Sequence, residues 1–206
     1  MEEAIIGLDE YVYDVDKDNY KRRLEDNKMQ KQLRDCTEGS TVTIGGQEWQ
    51  VLRHFDNGGT FCIRKNLLDD YRAFDENNCN DWKESSLRKY LNGEYKEKLL
   101  SEIRADEGVE IILDTTQDLT TDDGLKDYGS STDKVVLLTC DQYREYRHLI
   151  DKIDYRWWLI TADSTINHYA RGVCTNGSLY IYSAYGGNCG VRPACTFKSS
   201  IFVEVV

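Results

Sequence analysis

The chain predicts an α+β domain, and three features point there. Residues 41–64 alternate apolar and polar positions around two glycine-rich turns, the pattern of an antiparallel meander. Residues 81–103 and 139–150 carry apolar side chains at helical spacing behind cap-forming residues. Between and after them run long polar stretches rich in Tyr, Ser, Gly and Asn that follow neither period. With 206 residues and 40% hydrophobic content, one core carrying a terminal extension is the expected organisation.

In residues 1–17, acids mix with Ile5, Ile6 and Leu8, and Tyr11, Tyr13 and Val15 alternate as in a short edge strand. Asp18 or Asn19 can cap a helix through about Arg34, with Tyr20, Leu24, Met29 and Leu33 as a thin apolar stripe. Residues 1–37 thus read as an extension whose helix can dock on the domain, self-associate or attach to a carrier protein. In the meander, Val42 and Ile44 precede a Gly45-Gly46 turn, and Trp49, Val51 and Leu52 follow it. Asp56-Asn57-Gly58-Gly59 then turns the chain into Phe61, Cys62 and Ile63.

Asp81 or Ser85 starts a helix bearing Leu87, Tyr90 and Leu91, and Asn92-Gly93 is expected to stop it. Tyr95, Leu99 and Ile103 resume helical spacing. Residues 114–133 are acidic and turn-rich; Asp122, Asp123 and Asp127 lack the spacing of an EF-hand, so a solvated loop is expected rather than a calcium site. The apolar run from Val135 to Leu138 suits a central strand. Thr139 and Gln142 then have the spacing of a capping box for a helix through about Ile150. Phe197, Ile201, Val203 and Val205 read as one closing strand that must pair in a sheet, beside the early strands.

Charge and cysteine usage remove several functional classes. The formal net charge is -11, spread along the chain, which repels a phosphate backbone and argues against nucleic acid as a partner. No apolar run approaches the about 20 residues of a membrane span, so direct membrane insertion is not expected. Met1-Glu2-Glu3 is acidic where a secretory signal would be basic and then apolar, which implies synthesis in a cytoplasm without a signal peptide. The seven cysteines include no CxxC pair and no nearby His, so reduced, buried thiols are expected, with no metal and no cofactor.

Residues 157–197 stand apart from the rest. From Leu159 to Phe197 the chain has no Lys, Glu, Gln, Met or Trp, although those five types make up about a quarter of the remainder. What it has instead is Tyr, Ser, Gly and Asn, the composition of recognition surfaces: stiff amphipathic rings with adaptable hydrogen-bonding neighbours. Trp157, Trp158, Leu159, Val173, Leu179, Ile181, Val191 and Ala194 read as core. Arg192, beside the chain's only proline, reads as a brace, since a planar guanidinium can tie several carbonyls together. The display candidates are Asn167, His168, Tyr169, Arg171, Cys174, Tyr180, Tyr182, Ser183, Tyr185, Asn188 and Cys189. Two-residue alternation with Leu179 and Ile181 puts Tyr180 and Tyr182 on the outer face. No nucleophile or carboxylate is motif-linked to His168, and no catalytic set emerges.

An ordered set of segments carries a resemblance. It comprises IGGQEWQVL (44–52), DWKESSLRKYLN (81–92), KVVLLTCDQY (134–143), WWL (157–159), NGSL (176–179) and GVRPA (190–194). Over residues 38–206 the chain resembles bacterial and phage domains that carry Trp-Trp-Leu followed by Val-Arg-Pro-Ala. Those domains have a C-type-lectin-like fold related to the formylglycine-generating enzyme scaffold. Many resemble variable proteins of diversity-generating retroelements, in which asparagine codons change in their first two positions and so cannot become Lys, Glu, Gln, Met or Trp. The resemblance therefore implies a non-enzymatic ligand-binding domain with a variable region at about 157–195. Its target would be a protein or a glycan, and its final site a virion, the cell surface or the cytoplasm. Ile160-Thr161-Ala162 stands where members have Arg-Ser-Pro, and the calcium-dependent sugar-binding motifs are missing, so calcium-mediated binding does not carry over. Two alternatives stay open: a formylglycine-type thiol oxidase or other enzyme on the same fold, which requires a pocket with a reactive thiol such as Cys189 or Cys195, and a structural tail or adhesin domain.

Overall fold

The computed structural model describes residues 30–69, 71–103, 110–186 and 189–206. Strands β1 (Gln30–Gln32), β13 (Phe202–Val205), β2 (Thr41–Ile44), β3 (Gln47–His54), β4 (Gly59–Arg64), β12 (Ala194–Lys198) and β5 (Ile112–Leu113) lie side by side in that order. β8 (Val135–Val136) joins the same sheet on β12. A second sheet of three strands has the order β11 (Leu179–Ser183), β10 (Tyr169–Val173), β9 (Trp157–Ala162), and β6 (Thr115–Asp118) pairs with β7 (Ser130–Asp133) as a hairpin. Every strand pair within these sheets is antiparallel. With three short helices added, the α+β class holds.

The meander forms as its sequence dictates. Ile44 pairs with Gln47 across Gly45 and Gly46, whose φ values of 58° and 67° are those a tight hairpin turn requires. β3 then pairs with β4, with a bulge between Val51 and Arg53. The closing segment is two strands rather than one. β12 lies inside the sheet between β4 and β5, and β13 pairs with β2 through Val205 and Val42, beside the early strands.

Helix α1 (Ser86–Tyr90) is capped by Ser85, whose hydroxyl accepts from the Arg88 amide. The stop expected at Asn92-Gly93 is absent: a π-helical turn (Leu91–Tyr95) carries the chain into α2 (Lys96–Ile103). The Asn92 side chain is spent elsewhere. Its Nδ2 donates to the carbonyls of Arg88 (3.3 Å) and Val135 (2.9 Å), and its Oδ1 accepts from the amides of Lys134 and Val135, both at 3.0 Å. The residue that looked like a helix end is thus a clamp on β8. Helix α3 (Cys140–Tyr146) opens with the expected capping box, with both reciprocal bonds between Thr139 and Gln142 in place, and ends sooner than Ile150.

Two other expectations need correction. Only Val135 and Val136 of the apolar run join a ladder, while the Leu138 carbonyl accepts from the Ile160 amide at 2.9 Å. The run therefore ties the large sheet to the three-stranded one instead of forming a central strand. The N-terminal edge strand and most of the expected helix fall outside the described residues, but residues 30–32 are β1, bonded to β13, and Leu33 is fully buried.

The core has two parts. Trp49, Phe74, Trp82, Trp158 and Phe197 centre one cluster, with Trp49 edge-on to Phe197 at 5.0 Å. Leu52, Phe61, Ile63, Trp157 and Leu159 centre the other, closed by Tyr143 and Tyr146 of α3. Among the described residues no helix is long and apolar enough to cross a membrane.

Candidate recognition face

Strand β9 is buried at every position, and its adjacent tryptophans face opposite ways. The register aligns Trp158 with Gly172 and Gly172 with Tyr180; on the other side Trp157 aligns with Val173, and Val173 with Leu179. Trp157 packs edge-on to Tyr143 at 5.6 Å, under α3. Trp158 donates from Nε1 to the Arg72 carbonyl at 2.9 Å and meets Phe74 and Tyr182 edge-on at 5.7 and 6.0 Å.

This register corrects the placement of Tyr182, while Tyr180 is exposed as expected. Tyr180 and Tyr182 share the Trp158 side of the sheet, which packs on the first core cluster, and Leu179 and Ile181 on the opposite side are only half-buried. Two-residue alternation assumed one wet face; here both faces are packed near β9 and open only toward β11. Tyr182 is half-buried and lies across Gly172. A Cβ added at Gly172 would stand 2.9 Å from the Tyr182 ring and 2.8 Å from the Trp157 carbonyl oxygen. The Tyr182 hydroxyl reaches Cys174 Sγ at 3.0 Å, and the Arg156 guanidinium lies 5.4 Å from its ring. Tyr180 and Tyr185, by contrast, are 59% and 64% exposed.

The loops around this edge are held through their backbones. Asn80 donates from Nδ2 to the carbonyls of Asp163 (3.0 Å), Ile166 (3.1 Å) and Tyr169 (2.8 Å), while its Oδ1 accepts from the Tyr128 hydroxyl at 2.9 Å. Asp163 Oδ1 accepts from the amides of Thr165 and Ile166 and from the Thr165 hydroxyl. Burial alone would raise the Asp163 pKa, but these bonds and the charge of Arg171 outweigh it and hold the carboxyl below its ordinary range. Asn78, in the left-handed region at φ 60°, accepts from the Tyr185 amide (3.0 Å) and the Ser183 hydroxyl (3.2 Å). The chain is therefore fixed where its side chains point outward.

The remaining candidates divide. Asn167 is exposed; His168 and Tyr169 are half-buried with rings 4.9 Å apart. Arg171 is committed to an ion-pair network, with Nη2 3.1 Å from Asp122 and 3.2 Å from Asp163. Asp122, Asp123 and Asp127 are exposed in a turn-rich loop as expected, with Asp122 tied to Arg171 and Asp123 accepting from the hydroxyls of Thr121 and Ser164. Cys174 and Ser183 are half-buried and bonded as described. Asn188 lies outside the described residues. Cys189 is fully buried and cannot belong to an exposed surface; burial pushes its thiol up to about 12, with Arg156 pulling the other way. Cys195 is also fully buried and its thiol is raised further, so both sulfurs are held as thiols, the form that is a poor nucleophile.

Arg192 is a brace. Fully buried, it donates to the carbonyls of Arg64 (2.8 Å), Lys65 (2.8 Å) and Asp151 (3.1 Å) and to Gln50 Oε1 (2.9 Å), and lies 5.4 Å from the Trp157 ring. Gly190 serves the same frame: its carbonyl accepts from the Trp158 amide, and a Cβ there would strike Leu67 at 2.3 Å.

Sequence reasoning missed Tyr71 and Tyr155, whose rings stack at 4.6 Å with Tyr71 53% exposed, and the adjoining Arg156. The adjacency of Tyr155-Arg156 to the tryptophan pair was a usable signal. Tyr71 had none, because a fold contact alone brings it there.

The chain is similar over residues 57–146 to a family described as Domain of unknown function (DUF6273). That span runs from the β3–β4 turn to the end of α3 and leaves the three-stranded sheet outside it. No curated protein and no solved structure matches the chain.

Proposed function

We propose that the chain is a ligand-binding module with a C-type-lectin-like body, carrying a variable surface at the β11 edge of the three-stranded sheet. The observation that carries this reading is the contrast in one small region: Tyr180 and Tyr185 are more than half exposed, while Tyr180 is paired with Gly172 in the sheet and the Tyr185 amide is bonded to Asn78. Stiff rings on a fixed backbone lose little entropy on binding, which is how recognition surfaces gain affinity. Tyr71 and Tyr155 extend the aromatic area beyond the segment that composition singled out. The missing Lys, Glu, Gln, Met and Trp in residues 159–197 fit diversification of asparagine codons by a retroelement. The target is a protein or glycan on another cell or a phage host.

The full chain, immobilised and probed with a glycan array and with bacterial surface proteins, tests the reading. A ligand held by the natural chain and lost by the Tyr180→Ala/Tyr185→Ala variant supports it; binding that survives removal of both rings sinks it. The neighbouring DNA gives a separate check on diversification: a near-copy of the 3′ end of the gene, differing only at adenines and next to a reverse transcriptase gene.

A further inference from the structure

The opposite face of the three-stranded sheet, under Trp157, borders a small cleft of about 80 Å³ between the end of α3 and the turn after β10. Its charge runs against that of the protein. Arg147, Lys152 and Arg192 line it with Asp151 as the one carboxylate, in a chain whose formal net charge is -11. Neither Arg147 nor Lys152 forms an ion pair among the described residues: Arg147 Nη2 donates to the Gly177 carbonyl at 3.3 Å, and its guanidinium lies 5.4 Å from the Tyr143 ring.

Arg192 adds an independent sign of a missing acceptor. A guanidinium carries five N–H donors. Nε uses one on Arg64, Nη2 uses two on Gln50 and Lys65, and Nη1 uses one on Asp151, leaving the second Nη1 proton with no acceptor among the described residues. The side chain is fully buried, and both Arg192 and the Asp151 to which Nη1 bonds line the cleft. A buried donor without an acceptor is costly, and a buried cation favours a counter-ion beside it.

We propose that this cleft binds a small oxyanion, a carboxylate or phosphate group, between Arg147, Lys152 and the free Nη1 proton of Arg192. Burial holds the Arg192 pKa down to about 10 although the charge of Asp151 opposes it, and a further anion in the cleft would relieve the remainder. The site rests on the cleft alone and not on the display reading, so either can fail without the other.

Amide NMR spectra of the full chain, titrated separately with sodium phosphate and sodium acetate against sodium chloride at matched ionic strength, test it. Saturable shifts at Cys174, Thr175 and Gly177 with phosphate or acetate but not with chloride are expected, and the salt that binds more tightly identifies the oxyanion. Arg147→Gln/Lys152→Gln should weaken that affinity about tenfold or more, and Lys152→Glu alone, at an exposed position, should weaken it without unfolding the chain. Shifts that chloride reproduces, or an affinity unchanged in both variants, would overturn the site.

Discussion

Strands β9 and β11 belong to one three-stranded sheet, yet every residue of β9 is buried and no residue of β11 is. The difference is position. β9 is sandwiched between the two core clusters, while β11 is the edge, supported from one side by β10 and from beneath by loops. A sheet built this way passes rigidity outward from β9 but places little of its stability in the last strand. That is the arrangement in which side chains at the edge can change at small cost to the fold.

The largest expected effect lies in β9. Trp158→Ala removes a fully buried ring, its contacts with Phe74 and Tyr182 and its bond to Arg72, and should cost about 3–5 kcal/mol by urea denaturation. A cost near that of a surface change would break the contrast between the strands. In the middle strand, Gly172→Ala forces a methyl against the Trp157 carbonyl and the Tyr182 ring, and a loss of about 1–3 kcal/mol is expected, with a shifted Tyr182 ring resonance. A neutral outcome would mean that the Tyr182 ring can move away, and hence belongs with the exposed edge.

A smaller effect is expected in acid. Because the folded-state pKa of Asp163 is lowered, its contribution is present above the unfolded value and is lost as the pH falls below 3.8, the ordinary Asp value. Hydrogen exchange at the amides of Thr165 and Ile166 should accelerate there before exchange in β9 does. The smallest effect is at the edge: Tyr180→Ala and Tyr185→Ala should each change stability by no more than about 0.5 kcal/mol in a thermal melt. A large drop at either position would move it from display to core.

Local chemistry was legible in the sequence, and distant contacts were not. Gly45-Gly46 and the Thr139–Gln142 capping box needed only neighbours within a few residues, and both formed as read. Arg192 was legible as a brace because the guanidinium and the proline beside it leave few other uses, although its four acceptors come from elsewhere in the chain. Asn92 misled because its side chain answers to Val135 and Lys134 across the fold rather than to its own helix. Tyr182 misled because alternation reports which residues share a face but not whether that face is wet. Cys189 was read as a display candidate within the polar stretch, yet it is fully buried.

The four acceptors of Arg192 belong to β3, the last residue of β4 and the residue after it, and the segment after α3, so a single cation holds parts of the chain up to 142 positions apart. If any one of them were to open alone, it would leave an N–H donor of a buried guanidinium without its acceptor. Partial fraying of the frame is thereby made unfavourable, and this body should come apart in one concerted event.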